Sequence, residues 1–190
     1  MVDFTGSSGA YQLTEPQMAL LKCLVPAIDI VGDVNSNMLA YVRTAVRYLR
    51  STGSPAIDVF ITSPGGSVDA GLDIYDELRL YSGRKTATIN DKAASMGAII
   101  LQACEVRRCA LHSHVLIHHI STGRVTLDTL RSPKKLDEMR KRMEKDQSRL
   151  DTILAHRTGK TKVEIRRACA KDEFMNAGEA LAFNLIDEIV

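Results

Sequence analysis

Apolar positions along the chain change period repeatedly, and each change marks an element. Residues 26–31 form a short, apolar, β-branched run that passes through Gly32 and Asp33 into Asn35-Ser36-Asn37, residue types that cap helices. Beyond them Met38, Leu39, Val42, Val46 and Leu49 recur at helical spacing as far as Gly53-Ser54-Pro55. The pattern predicts strand, loop and amphipathic helix, the helix lying on a sheet. Residues 57–62 are almost continuously apolar over a strand's length, as expected of a sheet covered on both faces. A Ser63-Pro64-Gly65-Gly66-Ser67 turn follows, and after it a second helix whose apolar positions are Ala70, Leu72, Ile74, Tyr75, Leu78 and Leu80.

The alternation continues to the end of the chain. Residues 86–89 predict a strand, and Ser95 opens a helix running through Ile99, Ile100 and Leu101. Two further strands are predicted at 108–111 and 114–120, then a long helix at 133–156 with Leu136, Met139, Met143, Leu150 and Leu154 as its stripe. Pro133 suits the first turn of that helix and Gly159 its exit. Shorter helices at 163–170 and 177–183 and a last strand at 185–190 complete the pattern. Repeated strand and helix predict an α/β fold with a largely parallel sheet. No internal repeat, low-complexity tract or linker divides the 190 residues, so a single domain spanning 1–190 is expected.

Composition narrows the function classes. Hydrophobic residues make up 45% and charged residues 25%, values of a globular chain rather than a disordered one. A formal net charge of +2 gives no reason to expect nucleic acid. The basic run 134–149 is interrupted by Asp137, Glu138, Glu144 and Asp146, as on a solvated helix face. No stretch approaches the roughly 20 apolar residues of a membrane span. Residues 1–11 lack the pattern of a secretory signal. Cys23, Cys104, Cys109 and Cys169 have no Cys-x-x-Cys spacing and are expected to be reduced and mostly packed, in an intracellular compartment.

The candidate chemistry centres on Ser95. It lies in Lys92-Ala93-Ala94-Ser95-Met96-Gly97-Ala98, where small neighbours would let a carbonyl approach the hydroxyl. The upstream Gly65-Gly66 could aim backbone N–H groups at an oxyanion. Both features fall in strand-to-helix loops on one edge of a parallel sheet, where α/β proteins bind ligands. A base must come from His112, His114, His118, His119 or His156. On a regular strand His118 and His119 face opposite ways, so at most one of that pair meets the serine.

Ser63-Pro64-Gly65-Gly66-Ser67-Val68, Ala70-Gly71-Leu72, Ile74-Tyr75-Asp76 and Ala93-Ala94-Ser95-Met96-Gly97-Ala98 together resemble the ClpP family, the proteolytic subunits of the Clp protease. The resemblance continues through Val115-Leu116-Ile117-His118, Lys171-Asp172-Glu173-Phe174-Met175-Asn176-Ala177 and Leu185-Ile186-Asp187-Glu188-Ile189, covering roughly 20–190. It implies the ClpP/crotonase-like fold, built of repeated β-β-α units, with a protruding strand-helix handle at about 119–157. It also implies a serine endopeptidase, with Ser95 as nucleophile, His118 as base and then acid, and Asp172 orienting the imidazole. The backbone N–H groups of Gly66 and Met96 would form the oxyanion hole. No metal or cofactor is implied.

The family's members form seven-membered rings stacked in pairs around a chamber, so self-association and unfolded or peptide substrates in a cytoplasm, a host's if the protein is viral, are the implied setting. A paralogous subunit is a further implied partner. The sequence departs from the family in His119-Ile120-Ser121-Thr122-Gly123, where Gln-Pro and glycines usually follow the histidine. Residues 1–19 form a divergent N-terminal segment, unlike the axial loop with which the family engages an AAA+ unfoldase. Two rival readings share the fold: a crotonase-like acyl-CoA enzyme, and a structural or dedicated-processing ring subunit, for instance viral, with little general proteolysis.

Overall fold

Side-chain alternation sorts the first strands into a buried and a freer face. In the computed structural model, which describes residues 25–123 and 125–190, strand β1 (Ala27–Val34) buries Ile28, Ile30 and Val34. Strand β2 (Ile57–Gly66) buries Ile57, Val59 and Ile61, and β3 (Lys85–Ala94) buries Ala87, Ile89 and Ala93. Helix α1 (Ser36–Ser51) connects β1 to β2; the Asn35 side chain accepts hydrogen bonds from the Asn37 and Met38 N–H groups at its start. Helix α2 (Val68–Arg79) connects β2 to β3, with Ser67 as its cap. The two helices present Val42, Val46, Leu49, Leu72, Ile74 and Leu78 to the core. Burying one such Leu or Ile stabilises the fold by about 1.5–3 kcal/mol.

Strands β4 (Val106–Cys109) and β7 (Glu188–Ile189) complete a parallel path in the order β1-β2-β3-β4-β7. Strand β5 (His114–Leu116) pairs with the far end of β3, Lys92 to Ala94, and strand β6 (Met175–Asn176) runs antiparallel to β5. Thus β3 changes neighbour midway: β4 along Thr86 to Ile89, β5 beyond. The remaining helices are α3 (Met96–Leu101), α4 (Leu127–Arg131), α5 (Pro133–Thr158), α6 (Lys162–Cys169) and α7 (Ala177–Ala182). At 1.5 Å per residue α5 is about 39 Å long. No residue of α5 before Leu150 is fully buried, and Arg140 bridges Asp137 and Glu144 on its solvated face.

The α/β class and the mainly parallel sheet are as expected; several boundaries differ for physical reasons. The strand expected at 86–89 runs on through polar Asn90-Asp91-Lys92 to Ala94, because the β2–β3 register slips after Ile61 and pairing resumes at Ser63 and Ala93. The strand expected at 114–120 stops at Leu116, where β3 ends and no neighbour remains to pair with. That expected at 108–111 is displaced to 106–109, and the last strand shortens to two residues. The segment that would hold the handle's strand carries the short helix α4 instead. Cys104, Cys109 and Cys169 are free and buried as expected, while Cys23 and residues 1–19 lie outside the described residues.

A polar clasp closes the sheet's far edge. Arg107 is buried; its guanidinium donates to both carboxylate oxygens of Asp187, to Gln102 Oε1 and to the Asn184 carbonyl. Burial pushes the Asp187 carboxyl up, but the hydrogen bonds and charge of Arg107 outweigh this and hold it below its ordinary value. A depressed carboxyl adds stability that is complete above the ordinary carboxylate range, about pH 4, and disappears as pH falls through the lower folded value. The melting temperature should therefore drop on acidification below about pH 4, and Asp187→Asn should flatten that drop while lowering the plateau at pH 7. Thermal melts across pH 2–7 check both parts.

Candidate active site

At the C-terminal edge of the sheet three backbones converge with no room between them. Ser63 closes the apolar run of β2; its buried hydroxyl donates to the Gly32 carbonyl at 2.7 Å and accepts from the Gly65 N–H at 3.1 Å. The glycines that follow are not a free turn, as the sequence suggests, but the paired end of β2, with Gly65 opposite Asp33 and Gly66 opposite Val34. Their φ angles are +97° and +147°, a region that disfavours other residues. A Cβ on Gly65 would lie 2.4 Å from Ser95 Cβ, and one on Gly66 2.3 Å from the Val34 carbonyl oxygen. Glycine is required at both positions by contact as well as by conformation.

Ser95 is the hinge between β3 and α3, with φ 54° and ψ −121°. This backbone state costs on the order of 1–3 kcal/mol and persists only where its surroundings impose it. They do so on both sides. The Ser95 N–H donates to the Leu116 carbonyl at 2.9 Å, and its carbonyl accepts from Ala98 at 3.0 Å and Ile99 at 3.3 Å. Its side chain makes no capping hydrogen bond, which leaves the hydroxyl to the cavity beside it. Met96 begins α3, so its N–H has no acceptor within the helix. Gly71 of α2 makes room for the Met96 side chain, whose Cε a Cβ there would meet at 2.4 Å.

One cavity brings together Gly66, Ser95, Met96 and His118. Its apolar walls include Val68, Ile99, Ile117, Leu150 and Leu154, and Ser121 and Gln147 add polar groups. His118 is half-buried on the cavity; His112, His114, His119 and His156 are exposed and do not line it. Because β5 ends at Leu116, strict alternation does not decide between His118 and His119; the path of the chain after the strand does.

Asp172 lies apart from the cavity. It is exposed, with φ 51°, in the turn after α6. The antiparallel register joins His114 to Asn176 and Val115 to Met175. The pairing ends there, three residues short of both His118 and Asp172. Among the described residues no hydrogen bond or ion pair joins His118 to Ser95 or to Asp172.

Among the described residues the thiols offer no competing nucleophile. Burial pushes the Cys104 thiol up to about 12 and those of Cys109 and Cys169 up to about 11, so none is a thiolate at neutral pH. Among the described residues no group of three or more His, Cys, Asp or Glu side chains is placed to hold a metal. Sequence reasoning missed the bridging role of Ser63 and the contribution of α5 to the cavity. The signal for the latter was Gln147, Leu150 and Leu154 at helical spacing.

Comparison with known proteins places the chain in a family. Residues 15–190 match the family model described as Clp protease. An ATP-dependent Clp protease proteolytic subunit 1 of Chlamydia muridarum is 35% identical over 144 residues, 75% of this chain and 73% of that protein. Its counterpart in Chlamydia trachomatis serovar D is 34% identical over 145 residues, with the same coverage. Among solved structures, a point mutant of ClpP1 from Listeria monocytogenes superposes with a TM-score of 0.80 at 22% identity, covering 91% of this chain and 94% of that one. The chain belongs to the Clp protease family and has the ClpP fold. It is a proteolytic subunit of that family, whose members generally form rings.

The contact between Gly65 and Ser95 yields a direct expectation. Gly65→Ala should destabilise the chain by about 1–3 kcal/mol from backbone strain, with the clash adding to it. Gly123→Ala, where a Cβ meets nothing within 4 Å, should stay within about 0.5 kcal/mol. Urea unfolding of the two variants beside wild type measures the difference.

Proposed function

We propose that this chain is a serine endopeptidase that cleaves unfolded proteins and peptides inside an oligomeric ring chamber. The observation that carries the reading is the strained Ser95 hinge, its hydroxyl free of any capping bond, on the same cavity as a single histidine and the Gly66 backbone. Ser95 Oγ attacks the scissile carbonyl while His118 accepts its proton. The resulting oxyanion takes hydrogen bonds from the Gly66 and Met96 N–H groups, which are fixed before substrate arrives. His118 then protonates the departing amine, leaving an acyl-enzyme that water hydrolyses by the same proton path. Asp172 orients the imidazole and stabilises its charged form. The Ile99, Ile117, Leu150 and Leu154 walls suit an apolar side chain before the scissile bond. Membership of a protease family supports this reading over acyl-CoA chemistry on the same fold.

Assembly belongs to the proposal: seven-membered rings stacked in pairs, in a cytoplasm, with a paralogous subunit or an AAA+ unfoldase as further partners. The names of the chlamydial relatives, ATP-dependent proteolytic subunits, support the unfoldase. The β5–β6 pairing, two residue pairs that lead from Val115 toward His118 and from Met175 toward Asp172, supports alignment of the two on assembly.

Ser95→Ala should abolish labelling by an active-site fluorophosphonate and lower turnover of an apolar fluorogenic peptide by at least about 10³-fold. Asp172→Asn should lower turnover by a comparable factor with the protein still folded. Wild-type specific activity should rise with protein concentration across the range in which rings form, as followed by solution mass. Undiminished labelling of the Ser95→Ala protein would overturn the assignment.

A further inference from the structure

Asp151 is a charged side chain with no exposure, in the half of α5 that faces the core. A buried carboxylate is costly unless its oxygens are bonded. Both are: Oδ1 accepts from Gln147 Nε2 at 2.8 Å and Oδ2 from Arg166 Nε at 2.7 Å, Arg166 belonging to α6. The same Gln147 turns its carbonyl oxygen outward and accepts the Ile120 N–H at 2.8 Å. Ile120 is two residues past His118, beyond the last paired residue of β5, and both it and Gln147 line the Ser95 cavity.

This chain of bonds has a clear direction. Asp151 accepts from the Gln147 amide nitrogen, which fixes the amide's rotation and so aims its oxygen at Ile120. Leu116 is held by the Ser95 N–H on one side of His118, and Ile120 by Gln147 on the other. The intervening residues, which lack a strand neighbour, are therefore tied at both ends. We propose that Gln147, Asp151 and Arg166 are positioning residues for His118, setting where the imidazole sits relative to Ser95; this rests on the serine-peptidase reading. Arg166 also clamps α6 onto α5 through Asp151, and the two roles are separable because the hydrogen bond with the histidine segment is made by Gln147.

The test uses the full-length protein as Gln147→Leu, Asp151→Asn and the double variant, with mass and circular dichroism to select folded, assembled protein. Amide exchange at Ile120 should accelerate at least tenfold in Gln147→Leu, a readout independent of any catalysis. The kcat for an apolar peptide and the rate of fluorophosphonate labelling should each fall about tenfold, with KM within twofold of wild type. The double variant should be no worse than the more impaired single variant, since both break one chain of bonds. An assembled Gln147→Leu protein with wild-type kcat and labelling rate overturns the inference. So does a loss confined to KM, or losses that multiply in the double variant. If Asp151→Asn does not fold, Gln147→Leu alone decides by the same criteria. Ser95→Ala distinguishes the two levels: labelling retained there overturns the peptidase reading itself, whereas labelling lost there, with Gln147→Leu unaffected, overturns only the positioning role.

Discussion

The structure turns on a place where side chains are forbidden. The ends of β1, β2 and β3 approach so closely at Gly65, Gly66 and Ser95 that a methyl group at either glycine would intrude on Ser95 or on the Val34 carbonyl. Close packing makes such contacts unforgiving, since an interior cannot yield by more than a few tenths of an ångström without shifting a backbone. Several neighbouring choices follow from this constraint. Ser63, fully buried, uses its hydroxyl to bridge Gly32 and Gly65. Gly97 lies against Ser63, and Gly71 accommodates Met96, so α2 and α3 can both approach the same point. The strain at Ser95 is sustained by this crowding.

Polarity is distributed around that point in a way that suits acyl transfer. Backbone N–H groups and one histidine occupy the sheet edge, apolar side chains of α3 and α5 form the walls, and the buried thiols are too basic to compete. Two buried cations elsewhere are bonded: Lys85 with Glu105 and the Tyr81 and Gly83 carbonyls, Arg107 with Asp187 and Gln102. These polar clusters hold sheet edges and helix ends, away from the cavity. Family membership places the chain among Clp proteases, and the fold is that of ClpP.

Legibility of the sequence depended on how local each determinant was. The helices α1 and α2 could be read because their caps and apolar stripes lie within the segments themselves. The far half of β3 could not, since Asn90-Asp91-Lys92 is polar and is drawn into the sheet only by β2 and β5 on either side. The end of β5 at Leu116 was invisible for the complementary reason: residues 117–120 look like a strand, but the neighbour they need stops at Ala94. At the site, Ser95 and Gly66 were legible from their small neighbours. The choice of His118 from five histidines, and of Asp172 among the carboxylates, came from resemblance to a family. Ser63 and Gln147 went unread because their roles consist of bonds to residues 31 and 27 positions away.

The hydrogen bond from the Ser95 N–H to the Leu116 carbonyl has a mechanical meaning. It makes the serine and the stretch leading to His118 parts of one sheet, so bending or twisting of that sheet displaces both together. Such common-mode motion leaves the distance between hydroxyl and imidazole nearly unchanged, much as two marks on one bent plate keep their spacing. Only differential motion, in which residues 117–120 move while Ser95 stays, alters that distance. The element bonded to that stretch is α5, through Gln147, and its exposed half reaches out from the core like a lever arm.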